Sequence, residues 1–408
     1  HIIRRVHPDP RQLNEAAEKL KLSKQPIIIA GGGILYSEAE KELSDFAKKH
    51  NIPVTPTVMG IGCMTKDDPY YIGAIGCLGE GSSNSLSKDT DLALAIGTKL
   101  GDFTTGSWSN FQNEDFKLVS INTARFDVTK HLATPVISDA KIGLLELSKA
   151  LGDWRAPNNW YERSIDERKK WDSYVEKQSG PTNQELPSYA HAVGAVYRNA
   201  DPSDIVVTAA GGLVGEVVQI WKPKELNTFE TEWGFSCMGY EISGALGIKM
   251  AKPDQDVIVF VGDGSYLLHN SDIYSSVLYD KKLIIVVCDN GGHMVINRLQ
   301  LAKGGKEYLC NLKEARATNL QFVDFEAHAK SMGANGETVT STSELEAAFK
   351  RAKKSEKTYV ISIKTHGYEW LDGTAFWESP TLEVHSTTEN KQAYEEFLAG
   401  KKGQRKGV

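Results

Sequence analysis

The fold is decided by the stretch VIVFVGDGS at residues 257–265 and its partner LIIVVCDNGG at residues 283–292. Each stretch is an apolar run of strand length that leads into glycines beside a carboxylate or an amide. The interval between Asp263 and Asn290 leaves room for one helix and one crossover connection. We therefore expect two parallel strands whose carboxyl ends lie at the same edge of a sheet.

The residues at these two strand ends favour a site for a phosphate and a metal ion. Glycine lets backbone N–H groups approach a phosphate, and the N-terminus of the following helix adds partial positive charge. The Asp263 carboxylate, the Asn290 amide oxygen and a backbone carbonyl near Gly292 would be hard oxygen ligands, which Mg²⁺ prefers. A diphosphate and a water molecule could complete the shell. A lone Gly-Asp-Gly is an ordinary turn sequence, so this interpretation depends on both strand ends together.

Apolar strands alternate with helices through both halves of the chain. This alternation predicts an α/β fold with two doubly wound parallel-sheet domains. The strands are expected at residues 27–30, 53–57, 92–97, 117–122, 205–208, 257–261, 283–288 and 359–364. We place the first domain at 1–152, a linker with a helix at 153–187, the second domain at 188–375 and a C-terminal tail at 376–408.

Helices are predicted between these strands and at the end of the chain. One is expected at residues 11–22, and the next follows the strand at 27–30 and covers residues 37–49, with Ser37 as its N-cap. Others are expected at 140–151 and 189–199. The residues from about 381 have charges at helical spacing, which predicts a peripheral helix with a frayed end.

Composition and charge exclude several classes of protein. A length of 408 residues favours two domains, and a net charge of −6 argues against a nucleic-acid-binding surface. The apolar runs are far shorter than a membrane span. The five cysteines show no CxxC spacing, so we expect free thiols and no disulfide or zinc site. With a polar start to the chain, these features predict a cytoplasmic protein.

The combination of GDG at 262–264, 24 intervening residues and then Asp289 and Asn290 resembles a known signature. It is similar to that of the thiamine-diphosphate enzymes related to acetolactate synthase and pyruvate decarboxylase. Asp289 replaces the first of two asparagines in that signature, whereas Asn290 falls on the metal-binding position. The resemblance implies thiamine diphosphate and Mg²⁺ as cofactors, with Asp263, Asn290 and the carbonyl of Gly292 at the metal.

The resemblance extends to further segments and implies further cofactor contacts. WGFSCMG at 233–239 is similar to the segment around the aminopyrimidine of the cofactor, and the loop at 209–214 to the one that receives the diphosphate. Segments at 26–33, 51–54, 59–60 and 95–98 resemble the central Rossmann-like domain of the family. The implied cofactor-binding residues are Gly212, Leu213, Ser236, Met238, Gly264, Ser265, Asn290, Gly292 and His293. Met238 would support the bent cofactor, or it is simply a core side chain.

Three strings resemble one branch of the family, the acylhydrolases of myo-inositol catabolism: EWGFSCMGYE at 232–241, DNGGHMVINR at 289–298 and THGYE at 365–369. This resemblance implies hydrolysis of a C–C bond in a polyhydroxylated cyclic 1,2-diketone to give 5-deoxyglucuronic acid. Such a substrate needs polar partners, for which His293, Glu232 and Glu241 are candidates. Each of the three could instead be an ordinary loop, surface or helix-start residue.

Activation of the cofactor in this family requires a glutamate from an N-terminal domain. No segment of this sequence resembles that domain. We therefore expect a fragment that binds the cofactor weakly and turns over poorly, and the catalytic residues stay unknown. In the family the active site lies between subunits, which implies a homodimer or homotetramer.

Other functions remain open from the sequence. One is a carboligase or decarboxylase of the acetolactate synthase or glyoxylate carboligase type, and another is a non-catalytic cofactor-binding or assembly subunit. A nicotinamide-dependent dehydrogenase is disfavoured, because Tyr36 occupies the third glycine position of the fingerprint after Gly31 and Gly33. Whether the first domain binds a flavin is left open.

Overall fold

The computed structural model describes residues 2–405 and contains two sheets in which every strand pair is parallel. The first sheet has the order β2-β1-β3-β4-β5, and the second has the order β10-β11-β9-β8-β6-β7. The strands are β1 Pro26–Ala30, β2 Val54–Pro56, β3 Leu92–Ile96, β4 Lys117–Asn122, β5 Thr134–Ile137, β6 Ile205–Thr208, β7 Phe229–Thr231, β8 Val257–Gly262, β9 Ile284–Asp289, β10 Asn335–Val339 and β11 Tyr359–Lys364. The predicted fold class, α/β with two parallel sheets, is confirmed.

Helices cover both faces of each sheet, as a sheet that is apolar on both sides requires. They are α1 Pro10–Leu22, α2 Gly33–Tyr36, α3 Glu40–His50, α4 Gly81–Asp89, α5 Asp102–Thr105, α6 Arg125–Val128, α7 Ala140–Leu151, α8 Asn158–Ser179, α9 Tyr189–Asn199, α10 Gly211–Ile220, α11 Tyr240–Ala251, α12 Asp263–Leu268, α13 Ser271–Leu278, α14 Met294–Ala302, α15 Phe325–Ser331, α16 Thr342–Lys354 and α17 Thr388–Lys402. Within residues 2–405, no helix is long and apolar enough to cross a membrane.

The centre of the second sheet fixes the position of the polar strand ends. The apolar residues of β8 and β9 are fully buried, so neither strand can shift its register without exposing a core side chain. Val261 pairs with Val287, and Gly262 pairs with Cys288. Because the strands are parallel and in this register, the residues that follow them emerge side by side.

The start of α3 differs from the prediction. The helix begins at Glu40, and Ser37 is not its N-cap. The Ser37 hydroxyl donates instead to Oδ2 of Asp139 at 2.5 Å, and Arg5 donates to the other oxygen of that carboxylate at 2.8 Å. Asp139 caps α7 through the N–H of Ile142. A long-range hydrogen bond thus replaces the local cap.

A buried ion cluster joins the two sheets to the linker helix. Lys222, which follows α10, lies 3.3 Å from Glu80 at the start of α4 and also bonds Asp172 on α8. Glu80 is 1% exposed, and its other oxygen accepts from the N–H of Ala74 at 3.1 Å. The cluster therefore holds side chains from the first domain, the linker and the second domain in one contact.

The C-terminal segment also contacts both domains. Asn390 on α17 donates to the carbonyl of Gly304 at 2.7 Å, beside the second sheet. The Arg405 guanidinium donates to the carbonyls of Asn113 at 2.9 Å and Phe116 at 3.2 Å, beside the first sheet. These contacts hold the tail as far as Arg405, and the frayed end beyond it stays a prediction. Residues 406–408 of the predicted tail lie outside the described residues.

Replacing Lys222 should loosen the joint between the domains. Lys222→Met keeps the apolar stem but leaves the buried Glu80 carboxylate without its cation. Breaking a buried ion pair typically costs about 3–5 kcal/mol, so thermal unfolding should begin several degrees lower. The control Lys252→Met removes an exposed lysine and should change nothing. Equal unfolding temperatures for the two variants would contradict the proposed strength of this contact.

Candidate functional site

The two strand ends that the sequence singled out meet at a hydrogen bond. Asp263 opens α12 directly after β8, and Gly292 lies in the loop after β9. The Gly292 N–H donates to Oδ2 of Asp263 at 2.8 Å. Gly292 has φ +143°, and a Cβ atom there would lie 2.2 Å from the carbonyl oxygen of Cys310. Glycine is therefore required for the loop to approach the carboxylate.

Only one of the two polar atoms of the Asn290 side-chain amide has a hydrogen-bond partner. Its Nδ2 donates to the Tyr189 hydroxyl at 2.7 Å. Its Oδ1 is buried and has no hydrogen-bond partner among residues 2–405. Asp289 is occupied differently, since its Oδ1 accepts from the N–H of Gly291 at 3.0 Å and closes the loop. A buried amide oxygen without a donor is suited to ligate a cation.

The electrostatics of Asp263 also fit a cation. Burial, together with the nearby Asp289 carboxylate, raises the pKa of this carboxyl to about 7. Hydrogen bonds from the N–H groups of Gly264 and Gly292 oppose the shift without cancelling it. The described residues contain no group of three His, Cys, Asp or Glu side chains that could hold a metal. A metal here would need mixed ligands, namely carboxylate, amide and backbone oxygens.

All of the predicted cofactor and metal residues line one cavity of about 210 Å³. They are Gly212, Leu213, Ser236, Met238, Asp263, Gly264, Ser265, Asn290, Gly292 and His293. The cavity lies at the carboxyl edge of the second sheet, between β6, β8 and β9, where α/β proteins commonly bind ligands. The structure thus brings these residues together, although their individual roles remain predictions.

Two glycines bring backbone to the cavity wall. A Cβ atom at Gly264 would lie 2.8 Å from Cε1 of His293, so the ring of His293 rests directly on that backbone. A Cβ atom at Gly212 would lie 2.1 Å from the Trp370 ring. Gly212 is in the first turn of α10, a ten-residue helix whose first N–H groups lack intrahelical partners. The first N–H groups of α10 are therefore available to an anion.

Backbone N–H groups donate to both the Glu232 and the Glu241 carboxylates, and a contact of either residue with the substrate stays a prediction. Glu232 accepts from the N–H groups of Phe235 at 2.8 Å and Cys237 at 2.7 Å, which folds the segment that carries Met238. Glu241 is 1% exposed. It accepts from Gly239 at 2.8 Å and Ala210 at 3.3 Å, and it joins the two loops on either side of the cavity. Of the three candidates, His293 alone is both exposed and at the cavity.

Two site residues escaped the sequence analysis. Tyr189, the first residue of α9, bonds Asn290, and Trp370 packs edge to face on Tyr189 with ring centroids 5.6 Å apart. Both are distant in sequence from the two strand ends. The start of a helix at Tyr189 was recognisable, but nothing local indicates what its side chain contacts.

A larger cavity, of about 600 Å³, lies at the carboxyl edge of the first sheet and includes Gly32, Gly97 and Asn122. Its lining includes Asp102, Asp127 and Lys99. The smaller cavity is the better candidate for an anionic cofactor held through a cation, because Asp263 and the unpartnered Asn290 oxygen both line it.

Two separate parts of the chain match known protein families. Residues 13–147 match the family model described as thiamine pyrophosphate enzyme, central domain. Residues 209–363 match the model described as thiamine pyrophosphate enzyme, C-terminal TPP binding domain. The second match contains β8 and β9 and most of the cavity lining. The resemblance inferred from the signature is confirmed.

Curated relatives share most of this chain. A protein of Bacillus anthracis named 3D-(3,5/4)-trihydroxycyclohexane-1,2-dione hydrolase is 33% identical over 97% of this chain and 66% of its own length. One of Bacillus cereus, named 3D-(3,5/4)-trihydroxycyclohexane-1,2-dione hydrolase 2, is 34% identical over the same shares. A Bacillus thuringiensis protein with the first name is 33% identical. The chain thus spans 66% of the length of these relatives.

The raised pKa of Asp263 predicts a pH-dependent stability of the metal-free protein. Between pH 4 and pH 7 the folded protein keeps a proton that the unfolded chain has lost, so this stabilisation is lost as pH rises towards 7. Asp263→Asn removes the charge and still offers an oxygen to Gly292. At 1.36 kcal/mol per pKa unit, its stabilising effect should grow by about 2–3 kcal/mol from pH 5 to pH 8.

Thermal unfolding in the presence of a chelator would measure this effect. The matched control, Asp254→Asn, changes an exposed aspartate and should shift the unfolding temperature equally at both pH values. An Asp263→Asn variant that gains no stability at pH 8 would show that the pKa of the Asp263 carboxyl is not raised in the folded protein.

Proposed function

This chain belongs to the thiamine pyrophosphate enzyme family, and we propose that it binds thiamine diphosphate with Mg²⁺ for the hydrolysis of a C–C bond. The proposed substrate is 3D-(3,5/4)-trihydroxycyclohexane-1,2-dione, and the proposed product is 5-deoxyglucuronic acid. The cofactor part of this proposal rests chiefly on one observation, the unpartnered Asn290 oxygen at the strand end beside Asp263. The substrate part rests on the names of the relatives.

The metal would be held by three oxygens of the chain. The Asp263 carboxylate supplies negative charge, and the Asn290 amide supplies the oxygen that otherwise lacks a donor. The carbonyl of Gly292 is the proposed third ligand. The diphosphate and water would supply the remaining oxygen ligands that Mg²⁺ prefers. The cation would also offset the burial of the Asp263 carboxylate, which raises its pKa without a metal.

The diphosphate would be bound mainly by backbone N–H groups. Gly264 and Ser265 lie in the first turn of α12, and Gly212 and Leu213 lie in the first turn of α10. Two helix N-termini would therefore face one anion across the cavity. Because backbone donors cannot swing away, they hold the diphosphate without the entropy loss of long side chains.

The remaining residues would position the organic part of the cofactor. Met238 is 39% exposed at the cavity, although a large apolar side chain is normally buried, so it is available to support a bound ring. Ser236 has φ +53°, and its hydroxyl donates to the carbonyl of Ala209 at 3.0 Å, which fixes the segment leading to Met238. His293, exposed beside Gly264, is the proposed polar partner for a hydroxylated substrate.

When bound, thiamine diphosphate supplies a nucleophilic carbon and an electron sink for cleavage of a C–C bond beside a carbonyl. A cyclic 1,2-diketone has two adjacent carbonyls, so cleavage between them with one water molecule would open the ring, giving a carboxylic acid at one carbon and, once the other carbon takes a proton, an aldehyde there. The protein itself would orient the cofactor and admit water at the exposed side of the cavity, near His293.

Cofactor binding can be tested by calorimetry. Thiamine diphosphate titrated into the chain should bind in Mg²⁺ and lose most of its affinity in a chelator. Asp263→Ala should weaken the Mg²⁺-dependent binding by at least about 100-fold, because the charged metal ligand is gone. Asp254→Ala, on an exposed turn, is the control. Binding that ignores both Mg²⁺ and Asp263→Ala would refute the proposed site.

The reaction can be tested by product analysis with the cyclic diketone, thiamine diphosphate and Mg²⁺. The expected product is the ring-opened acid, with no CO₂. A joined carbon skeleton with CO₂ release from a 2-oxo acid would identify a carboligase instead. Intact cofactor binding with neither product would support a cofactor-binding or assembly role.

A further inference from the structure

The two ends of the Asn290 side-chain amide differ little in shape, so packing alone does not decide which end faces the candidate metal site. A 180° turn exchanges oxygen and NH₂ with almost no change in packing. One orientation presents an oxygen to a cation, and the other presents hydrogen atoms that repel it. Nδ2 donates to the Tyr189 hydroxyl at 2.7 Å, and Oδ1 is left free. A tyrosine hydroxyl can accept or donate, so this contact satisfies the NH₂ group in the observed orientation and leaves the oxygen free for a cation.

Tyr189 is itself firmly held. It is the first residue of α9, whose start is fixed by a reciprocal cap between Ser188 and His191. The side chain is only 4% exposed, and its ring packs edge to face on Trp370 at an interplanar angle of 84°. A Cβ atom on Gly262 would lie 3.8 Å from the Tyr189 hydroxyl, so that oxygen borders the end of β8. The hydroxyl therefore has little freedom to move away from Asn290.

Trp370 extends this support to the opposite wall of the cavity. Its ring contacts Tyr189 on one side and the backbone of Gly212 on another. The proposed metal ligand and the proposed diphosphate loop thus rest on neighbouring aromatic side chains. A shift of either ring would move both walls.

We propose that Tyr189 is a positioning residue for the metal site: its hydroxyl accepts from Nδ2 of Asn290 and so keeps the amide oxygen turned to the divalent cation. This inference rests on the proposed function, since it requires a cation at Asp263 and Asn290. Without the hydroxyl, the metal-binding orientation leaves a buried NH₂ group without an acceptor. An unsatisfied buried donor is costly, so the amide turns or shifts and the cation loses a ligand.

The test is Tyr189→Phe, which removes one oxygen atom and keeps the ring against Trp370. Mg²⁺ is titrated into the chain at a fixed thiamine diphosphate concentration, and cofactor binding is followed by calorimetry. The Mg²⁺ concentration for half-maximal binding should rise about 10- to 100-fold, as for the loss of other groups that orient metal ligands. At saturating Mg²⁺, thiamine diphosphate affinity should recover, which general damage to the site would not allow.

Tyr197→Phe is the matched control. Tyr197 lies on the same helix, and its hydroxyl donates to the carbonyl of Lys222 at 3.1 Å, far from the cavity lining. It loses one hydrogen bond in the same way, so its Mg²⁺ requirement should change less than about twofold. Equal effects of the two variants would overturn the proposal.

Asn290→Asp gives an independent check, because a carboxylate presents an oxygen in either orientation. In that background Tyr189→Phe should change the Mg²⁺ requirement by less than about threefold, so the two substitutions are strongly coupled. If Tyr189→Phe matches wild type while Asn290→Ala binds weakly, the positioning role is wrong and the metal site stands. If wild type itself shows no Mg²⁺ dependence, the proposed metal site is wrong and the role of Tyr189 falls with it.

Discussion

The hydrogen bond from the Gly292 N–H to the Asp263 carboxylate is the contact on which the candidate site depends. It exists because β8 and β9 are parallel neighbours in a register that two buried apolar strands cannot change. It also requires a glycine, since any Cβ at position 292 would collide with the Cys310 carbonyl. Sheet register, backbone conformation and the polar pair are thus parts of one constraint.

Much of the fold could be predicted because its strongest signals are local. The strands at 117–122, 205–208 and 359–364 and the helices at 140–151 and 189–199 have the predicted bounds. The strands β5, β7 and β10 were missed. Each is at or near the edge of a sheet. β10 reads NGETV, with residues of low strand propensity, so its conformation is set by pairing with β11 and not by its own sequence.

The site residues, like the fold, could be predicted where the signal is local in sequence. Residues at the two strand ends, such as Asp263 and Asn290, were found because their spacing indicates two parallel strands that end at the same edge of a sheet. A sequence reveals a carboxylate such as Glu232 or Glu241 but not which N–H groups it accepts from. Tyr189 was missed for the same reason, since its partner is distant along the chain. What local pattern omits is the identity of long-range polar partners.

The first domain has a physical connection to the cofactor cavity even though none of the predicted ligands lies in it. Trp233, three residues before Ser236, packs edge to face on Phe103 of the first domain with ring centroids 5.6 Å apart. The backbone before β7 is also joined to that domain, since Asn227 donates to the carbonyl of Gly62 at 3.1 Å. The segment that carries Ser236 and Met238 is exposed over much of its length, so few contacts of its own hold it. Its order therefore depends on the first domain. If the contacts between the two sheets weakened, this segment of the cavity wall would be displaced before Asp263.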